Sequence, residues 1–247
     1  GVLTVKVADV AGNESPASAG VTLAIDYVVP TIALTSSRST VLTGQTATIS
    51  VTLSEASADF AIGDVSVVGG TVGGFAGSGT SYTFTFTPAT NSTTSMSISV
   101  QSGTFADASG NTNTVSNTLT ATVDTAAPTI TSISSSSADG SYKAGSTLLI
   151  TVLFNDIVAV STGGGVPSIL LETGATDTSA TYSSGSGTNT LTFRYVVVAG
   201  NISADLDQQS NIALALNGGT IRDASGNDAV LTLATPGASG SLGASKA

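Results

Sequence analysis

A five-residue motif, Asp-x-x-Gly-Asn, occurs three times in the chain at a spacing close to one hundred residues. Its copies run from Asp9 to Asn13, from Asp107 to Asn111 and from Asp223 to Asn227. A second motif, an Asp placed four residues before a Pro, has the same period, since Asp26 and Asp124 are separated by the same 98 residues as Asp9 and Asp107. Two unrelated motifs with one spacing indicate a repeated structural unit.

Alternating apolar residues follow the same period and predict strands. Every second residue is apolar in Ala47, Ile49, Val51 and Leu53, and again in Leu148, Ile150, Val152 and Phe154. Further pairs of segments correspond in the same way: Tyr82, Phe84 and Phe86 with Leu191, Phe193 and Tyr195, and Met96, Ile98 and Val100 with Ile212, Leu214 and Leu216. A period of two predicts strands with one buried face, and no segment has helical periodicity. We therefore expect an all-β fold of tandem immunoglobulin-like β-sandwiches in a linear array, since the repeat has the size of one such domain.

The motifs divide the chain into three parts, which we take as an excerpt of a longer polypeptide. Residues 1–25 are expected to be the last two strands of a preceding domain, and residues 26–123 a complete sandwich. Residues 124–247 are expected to be a longer sandwich that lacks its final strand, because no linker Asp and no clear strand follow Asp223. One explanation for the missing final strand is that the sequence is cut at an arbitrary point. Strand exchange is the alternative, with residues 1–25 or an external strand completing an open sheet.

The composition excludes several functional classes. With 16 acidic against 6 basic residues the net charge is −10, so the basic patch that nucleic acids and anionic membranes require is missing. The absence of Cys excludes disulfides and thiolate chemistry, and the absence of His removes the commonest general base. No apolar run approaches the roughly 18 residues of a membrane span, so we expect no membrane insertion.

Acidic and amide side chains recur at positions that the topology of a sandwich brings to one end of each domain. The strand direction alternates, so the Asp-x-x-Gly-Asn turn, the linker Asp and the loop after the second strand converge at a domain junction. The sets expected to converge are Asp26, Glu55, Asp107 and Asn111, and then Asp124, Asn155 or Asp156, Asp223 and Asn227. Carboxylates without a basic partner repel one another unless a cation lies among them. Oxygen ligands without His or Cys favour structural calcium.

Two other interpretations of the polar residues remain open. Asp, Gly and Asn are ordinary turn residues, so the repeated loops need not bind a metal. Asp205 and Asp207 are expected in a solvated loop at the opposite end, and Asp59 and Asp64 in turns.

Three segments resemble the bacterial Ig-like repeats of giant adhesins exported by type I secretion and of other very large bacterial surface proteins. They are residues 122–130 (Thr-Val-Asp-Thr-Ala-Ala-Pro-Thr-Ile), Ser54-Glu55-Ala56 and Asp-Ala-Ser-Gly-Asn. The resemblance implies an extracellular or cell-surface location, neighbouring repeats as partners, and calcium at domain junctions. Two departures are Tyr27-Val28-Val29, where small residues are usual, and Asn155-Asp156 in place of Ser-Glu.

We therefore predict a structural extender, or stalk, of a bacterial adhesin, stiffened by calcium, and no enzyme. The alternative is a subunit of a self-assembling extracellular filament or surface layer, in which other copies of the chain are partners. A glycan-binding module is less favoured, because the chain has no Trp and its aromatic residues lie at inward positions. Enzymatic activity ranks last, since a site repeated in every domain indicates structure and not catalysis.

Overall fold

The computed structural model describes residues 1–57 and 59–246, which form two compact units. The first unit contains Gly1–Ser39, Ala47–Thr87 and Met96–Thr120. The second contains Thr40–Thr46, Pro88–Ser95 and the residues from Ala121 onward.

Nearly all of the regular structure is β-strand, as the alternating pattern predicts. The strands in chain order are β1 (Val2–Leu3), β2 (Val21–Thr22), β3 (Ile32–Ser36), β4 (Thr40–Leu42), β5 (Ala47–Ser57), β6 (Val65–Val68), β7 (Gly70–Pro88), β8 (Met96–Val100), β9 (Leu119–Asp124), β10 (Ile130–Ser135), β11 (Thr147–Ser161), β12 (Ser168–Leu171), β13 (Thr178–Ser184), β14 (Thr188–Val196), β15 (Leu214–Ala215) and β16 (Thr220–Arg222). A 3-10 helix spans Ile62–Asp64, and a short α-helix, α1, spans Leu242–Ser245.

In the first unit, β3, β5 and β7 form an antiparallel sheet whose inward residues alternate with exposed Thr and Ser. A Cβ on Gly77 would lie 2.3 Å from the carbonyl oxygen of Ser81, so β7 turns back on itself there. β6 pairs antiparallel with β8. The core of this unit is closed by ring contacts of Phe60 with Tyr82 and with Phe105, each with 5.1 Å between centroids. Tyr82, Phe84 and Phe86 of β7 are buried, as expected.

Residues 1–25 form a hairpin of their own. β1 pairs antiparallel with β2, with Leu3 opposite Val21, and further backbone hydrogen bonds join Val5 with Ser18 and Val7 with Ser15. Leu3, Val5, Val7 and Val21 are all more than half exposed, because nothing in the described chain covers this face. The expectation that this hairpin ends a preceding domain stays a prediction.

The second unit is built around a seven-stranded sheet with the order β10-β11-β14-β13-β12-β15, in which β16 pairs with the far end of β11. Its fully buried side chains include the predicted inward residues of β11 and β14, among them Ile150, Val152, Leu191 and Phe193. In the same unit, β4 runs parallel to β9, with Val41 opposite Val123.

Two segments of the second unit depart from the repeat. Ile212, which we expected to face inward like Met96, is 78% exposed, because the hydrogen bond from Ala213 N–H to Ser210 O turns the chain there. After Arg222 the described residues form no further strand, and the short helix α1 places Leu242 in the core.

Candidate metal centre

The three Asp-x-x-Gly-Asn motifs fold into the same loop. In the second copy, Asp107 Oδ1 accepts hydrogen bonds from the N–H groups of Ser109 (2.8 Å) and Asn111 (2.9 Å). Asn111 Nδ2 donates to Asp107 Oδ2 over 2.8 Å, and Gly110 N–H donates to the Asp107 carbonyl. The Asn111 amide is the main reason that the pKa of Asp107 lies below its usual value. The corresponding Asp–Asn bonds are present in the copies at Asp9–Asn13 and Asp223–Asn227.

The glycine of the motif is required by the backbone of this loop. Gly12, Gly110 and Gly226 have φ values of +85°, +89° and +87°. A residue with a Cβ is strained in this region, whereas glycine adopts it without steric cost. The recurrence of Asp, Gly and Asn is thus explained by the loop itself, before any ligand is considered.

Each linker Asp meets the loop that the sequence predicts it to meet. Asp26 Oδ2 accepts a hydrogen bond from the Ser109 hydroxyl over 3.3 Å, and Asn111 Nδ2 donates to the Asp26 carbonyl over 3.3 Å. In the second unit, the Ser225 hydroxyl donates to Asp124 Oδ2 over 2.5 Å. The two repeated motifs, linker and loop, therefore form one site in each repeat.

Glu55 is positioned by the end of β5, which is held on both sides. Ser54 exchanges hydrogen bonds with Thr31, through its hydroxyl (2.9 Å) and its N–H (3.0 Å). Ser57 forms a β-bridge with Asp107. These contacts fix the backbone on either side of Glu55 and place its carboxylate between the linker and the loop.

Asp26, Glu55 and Asp107 form a compact acidic cluster, with one carboxylate oxygen from each lying within 4.8 Å of the others. Glu55 Oε1 is buried and has no hydrogen-bond partner. Loss of solvent, followed by the charges of Asp107 and Asp26, raises the pKa of Glu55. Within residues 1–57 and 59–246, no ion pair involves these three acids. The cluster therefore holds negative charge that protein groups leave uncompensated.

The cluster fits a hard cation. Asp107 Oδ1 already accepts two hydrogen bonds, but Oδ2 accepts one and keeps a free lone pair. The orphaned Glu55 Oε1 supplies a second oxygen, and Asp26 supplies a third that faces the others. Carboxylate oxygens alone, with no nitrogen or sulfur ligand, are the donor set of calcium. Asn111 acts here as the group that orients Asp107.

The second set of predicted residues is arranged differently. Asp223 and Asn227 are buried, and Asn227 Nδ2 donates to Asp223 Oδ2 (2.7 Å) and to Asp124 Oδ1 (3.4 Å). The Thr43 hydroxyl hydrogen-bonds to Asn227 Oδ1. With the bond from Ser225 to Asp124, protein donors satisfy this set.

Asp156 does not join Asp124 and Asp223, contrary to our expectation. In the described part of the chain, Asp26, Glu55 and Asp107 are the one acidic trio close enough to share an ion. Asp156 is exposed and accepts a 2.6 Å hydrogen bond from the N–H of its neighbour Ile157. Asn155 takes the place of Ser54, because its Oδ1 accepts from Thr129 N–H. The end of the strand is thus held in the same way in both repeats, but the Asp156 carboxylate points away from Asp124 and Asp223.

Hydroxyl groups also belong to this region, although the two repeated motifs did not predict them. Ser109 and Ser225 occupy the third position of their loops, where the first loop has Ala11. Because this serine recurs in both loops that meet a linker Asp, the sequence could have predicted its hydrogen bond to that Asp. Thr43 gave no such signal, since Ala144 occupies its position in the other repeat.

Acids outside these sets have local roles. Asp59 Oδ1 accepts from the Ser57 hydroxyl (2.7 Å) and from Ala106 N–H (3.0 Å), which lowers its pKa. Asp64 accepts from Ala61 N–H in the 3-10 turn. Asp207 Oδ2 accepts from Gly237 N–H, so it braces the end of the second unit.

The strands, sheets and loops define an all-β fold of the immunoglobulin-like type. Consistently, a family model described as bacterial Ig-like domain matches residues 26–123. None of the curated proteins compared with the chain matches it. Across residues 1–57 and 59–246, no helix combines the length and apolar character needed to cross a membrane.

Proposed function

We propose that the chain is an extender segment of a bacterial adhesin at the cell surface, stiffened by calcium bound at Asp26, Glu55 and Asp107. The match of residues 26–123 to the bacterial Ig-like domain supports a surface protein built from such domains. The internal repeat supports a tandem array, in which each unit contacts mainly its neighbours and length itself is the function.

The observation that carries the calcium proposal is the unpartnered Glu55 Oε1 beside two further carboxylates. Without a cation, this arrangement repels itself and leaves a buried oxygen unsatisfied, which destabilises the fold. With a cation, the linker residue Asp26 is tied to the sandwich through Glu55 and Asp107. Calcium would therefore restrain the linker that leads into residues 26–123.

The proposal assigns one calcium ion to the chain and none to Asp124, Asp156, Asp223 and Asn227. Protein donors already satisfy Asp124, Asp223 and Asn227 there, and Asp156 lies apart. Calorimetric titration of the 247-residue chain with calcium tests this number. We expect one site, abolished by Asp26→Asn and unchanged by the matched variant Asp156→Asn. Two sites, or one site that Asp156→Asn removes, would contradict the assignment.

The extender role is tested by small-angle scattering of the same chain. A tandem array predicts a maximum dimension well above that of one globular domain of equal mass. If calcium stiffens the array, the range of overall lengths that the chain samples should also be narrower in calcium than in chelator. A compact, calcium-independent profile would count against it.

A further inference from the structure

We propose that Asn217 and Gly218 form a latent deamidation site, which the closed fold protects and which local opening converts irreversibly into aspartate or isoaspartate. Asparagine deamidates fastest when glycine follows it, because glycine has no side chain to hinder attack by its own amide nitrogen. The sequence contains one such pair. The inference depends neither on the extender role nor on calcium.

The turn between β15 and β16 explains why this pair is present. Gly219 N–H donates to the Leu216 carbonyl over 2.9 Å, which closes the turn. Its two central residues, Asn217 and Gly218, have φ values of +53° and +91°. Positive φ at both positions is the pattern of a type I′ turn, for which Asn-Gly is the preferred pair. Because both residues are exposed, the fold places a chemically labile peptide bond in contact with water.

The side chain of Asn217 is held to the segment that leads into β12. Its Nδ2 donates to the Val166 carbonyl and to the Ser168 hydroxyl oxygen, each over 2.9 Å. Deamidation expels this same nitrogen, and the side chain must rotate toward the nitrogen of Gly218 before the reaction can begin. Both hydrogen bonds oppose that rotation, so they slow deamidation while the turn is closed.

The backbone of the turn is held by the glycines that follow β11. A Cβ on Gly165 would overlap the Asn217 carbonyl, and a Cβ on Gly164 would overlap the Gly218 carbonyl. The two glycines therefore allow two backbones to touch. The Asn217 carbonyl and the Gly218 nitrogen belong to one planar peptide group, so this contact also restrains the attacking nitrogen.

The reaction itself needs only water. When the turn opens, the Gly218 nitrogen attacks Asn217 Cγ and forms a new N–Cγ bond. The Gly218 N–H proton passes through water to Nδ2, which leaves as ammonia and so completes a cyclic imide. Water then opens the imide: cleavage of the N–Cγ bond leaves aspartate, and cleavage of the original peptide bond leaves isoaspartate.

The strands on either side of the turn make local opening easy. β15 pairs with β12 through Leu214 and Ala215 alone, and β16 pairs with β11 through three residues. Short ladders beside an exposed turn open at a lower free energy than the core strands do. Protection of Asn217 is therefore expected to be lost before the whole unit unfolds.

Neither product can restore the closed turn. An aspartate carboxylate only accepts hydrogen bonds, so at position 217 it would face the Val166 carbonyl without a proton between them. Isoaspartate adds a methylene to the main chain where Gly165 leaves no space. Because β16 leads directly into the loop that binds Asp124 through Ser225, the modification is expected to loosen that loop as well.

Mass spectrometry of the 247-residue chain tests the protection. The chain is incubated at mildly alkaline pH, either folded in buffer or unfolded in guanidinium chloride. Trypsin then releases the peptide between Arg194 and Arg222, and fragmentation assigns the change from amide to acid to residue 217 or to Asn211, the internal control. We expect conversion at residue 217 to be manyfold faster in the unfolded chain. Equal rates, or no conversion in the unfolded chain, would overturn the proposal.

A pair of variants tests the contact that protects the side chain. Ser168→Ala removes one acceptor of Asn217 Nδ2 and is expected to speed conversion in the folded chain severalfold. Ser179→Ala, an exposed position on the neighbouring strand β13, is the control and should leave the rate unchanged. Equal rates in the two variants would contradict the protective role of Ser168.

A second pair tests the irreversible step. Asn217→Asp reproduces one product and is expected to lower the midpoint of urea unfolding. Asn189→Asp makes the same change of charge at another exposed position and should leave the midpoint unchanged. A midpoint for Asn217→Asp equal to that of the unaltered chain would contradict irreversibility. The mass measurement uses the unaltered chain, so it decides on the protection even where a variant does not fold.

Discussion

The Ser225 hydroxyl donates a 2.5 Å hydrogen bond to Asp124, which lies 101 residues earlier in the chain. The equivalent bond, from Ser109 to Asp26, is 3.3 Å long. The loop serine and the linker Asp are therefore hydrogen-bonded in both repeats, but the bond is shorter in the second repeat than in the first. Around Asp124 protein donors close the site, whereas around Asp26 a third acid, Glu55, enters and leaves charge that a cation would neutralise.

Removal of the shorter bond is expected to destabilise the second unit. Ser225→Ala deletes a donor to a half-buried carboxylate, which typically costs roughly 1 to 2 kcal/mol. Urea unfolding of the full chain measures the change. The matched variant Ser109→Ala removes the longer, exposed bond and is expected to cost below about 0.5 kcal/mol. Equal losses in the two variants would show that the bond lengths do not reflect their contributions.

Neutralising Glu55 is expected to stabilise the chain when calcium is removed. Glu55→Gln keeps the shape of the side chain and abolishes its repulsion with Asp107 and Asp26. The midpoint of thermal unfolding in chelator should therefore rise. Asp156→Asn, the aligned substitution outside the cluster, serves as control and should leave the midpoint unchanged. A lower midpoint for Glu55→Gln would mean that its carboxylate is not destabilised by its neighbours.

Stability in chelator is expected to pass through a maximum at mildly acidic pH. Because burial and neighbouring acids raise the pKa of Glu55, the folded chain binds this proton before the unfolded chain does. Stability therefore rises as the pH falls through that raised pKa, down to about 4.3, where the unfolded side chain titrates.

Asp107 acts in the opposite direction at lower pH. Its pKa is lowered, chiefly by Asn111, so its contribution is present above about 3.9 and is lost as the pH falls further. The midpoint of urea unfolding, measured from neutral pH down to a pH of about 2, records both the rise caused by Glu55 and the fall caused by Asp107. Glu55→Gln should lack the initial rise, and a steady fall in the unaltered chain would refute the raised pKa.

The glycine of the repeated loop is expected to be hard to replace. Gly226 has a φ of +87°, and no neighbouring atom would clash with a Cβ at this position, so alanine there meets only backbone strain. Gly226→Ala should cost roughly 1 to 2 kcal/mol in urea unfolding. Gly63→Ala is the control, because Gly63 also has open space but an ordinary φ. Similar losses of unfolding free energy in the two variants would contradict a left-handed backbone conformation at Gly226.

Much of the fold follows from local pattern. The alternation in β5 and β11 identified buried and exposed faces, because a half-buried strand has a period of two. The meeting of Asp26 with the loop at Asp107 also followed, since strand direction fixes which loops share an end. Such inferences succeed where a repeated sequence encodes a repeated local structure.

The remainder depends on contacts that no repeat encodes. Asp156 aligns with Glu55, but its carboxylate turns to the backbone of Ile157 and stays in solvent. Thr43 reaches Asn227, 184 residues away, from a segment without a motif. Ile212 lies in a turn although its counterpart Met96 is buried. Alignment placed Asp156 and Ile212 on the correct segment and left the direction of the side chain undetermined.

Thermal unfolding of the 247-residue chain in millimolar calcium, in magnesium and in chelator tests the central claim most directly. A ligand at about 100 times its dissociation constant stabilises the folded state by about 2.7 kcal/mol, which shifts the midpoint of a domain of this size by several degrees. We predict such a shift with calcium, none with magnesium, and none with calcium in Glu55→Gln. A midpoint that calcium leaves unchanged would contradict the metal centre at Asp26, Glu55 and Asp107.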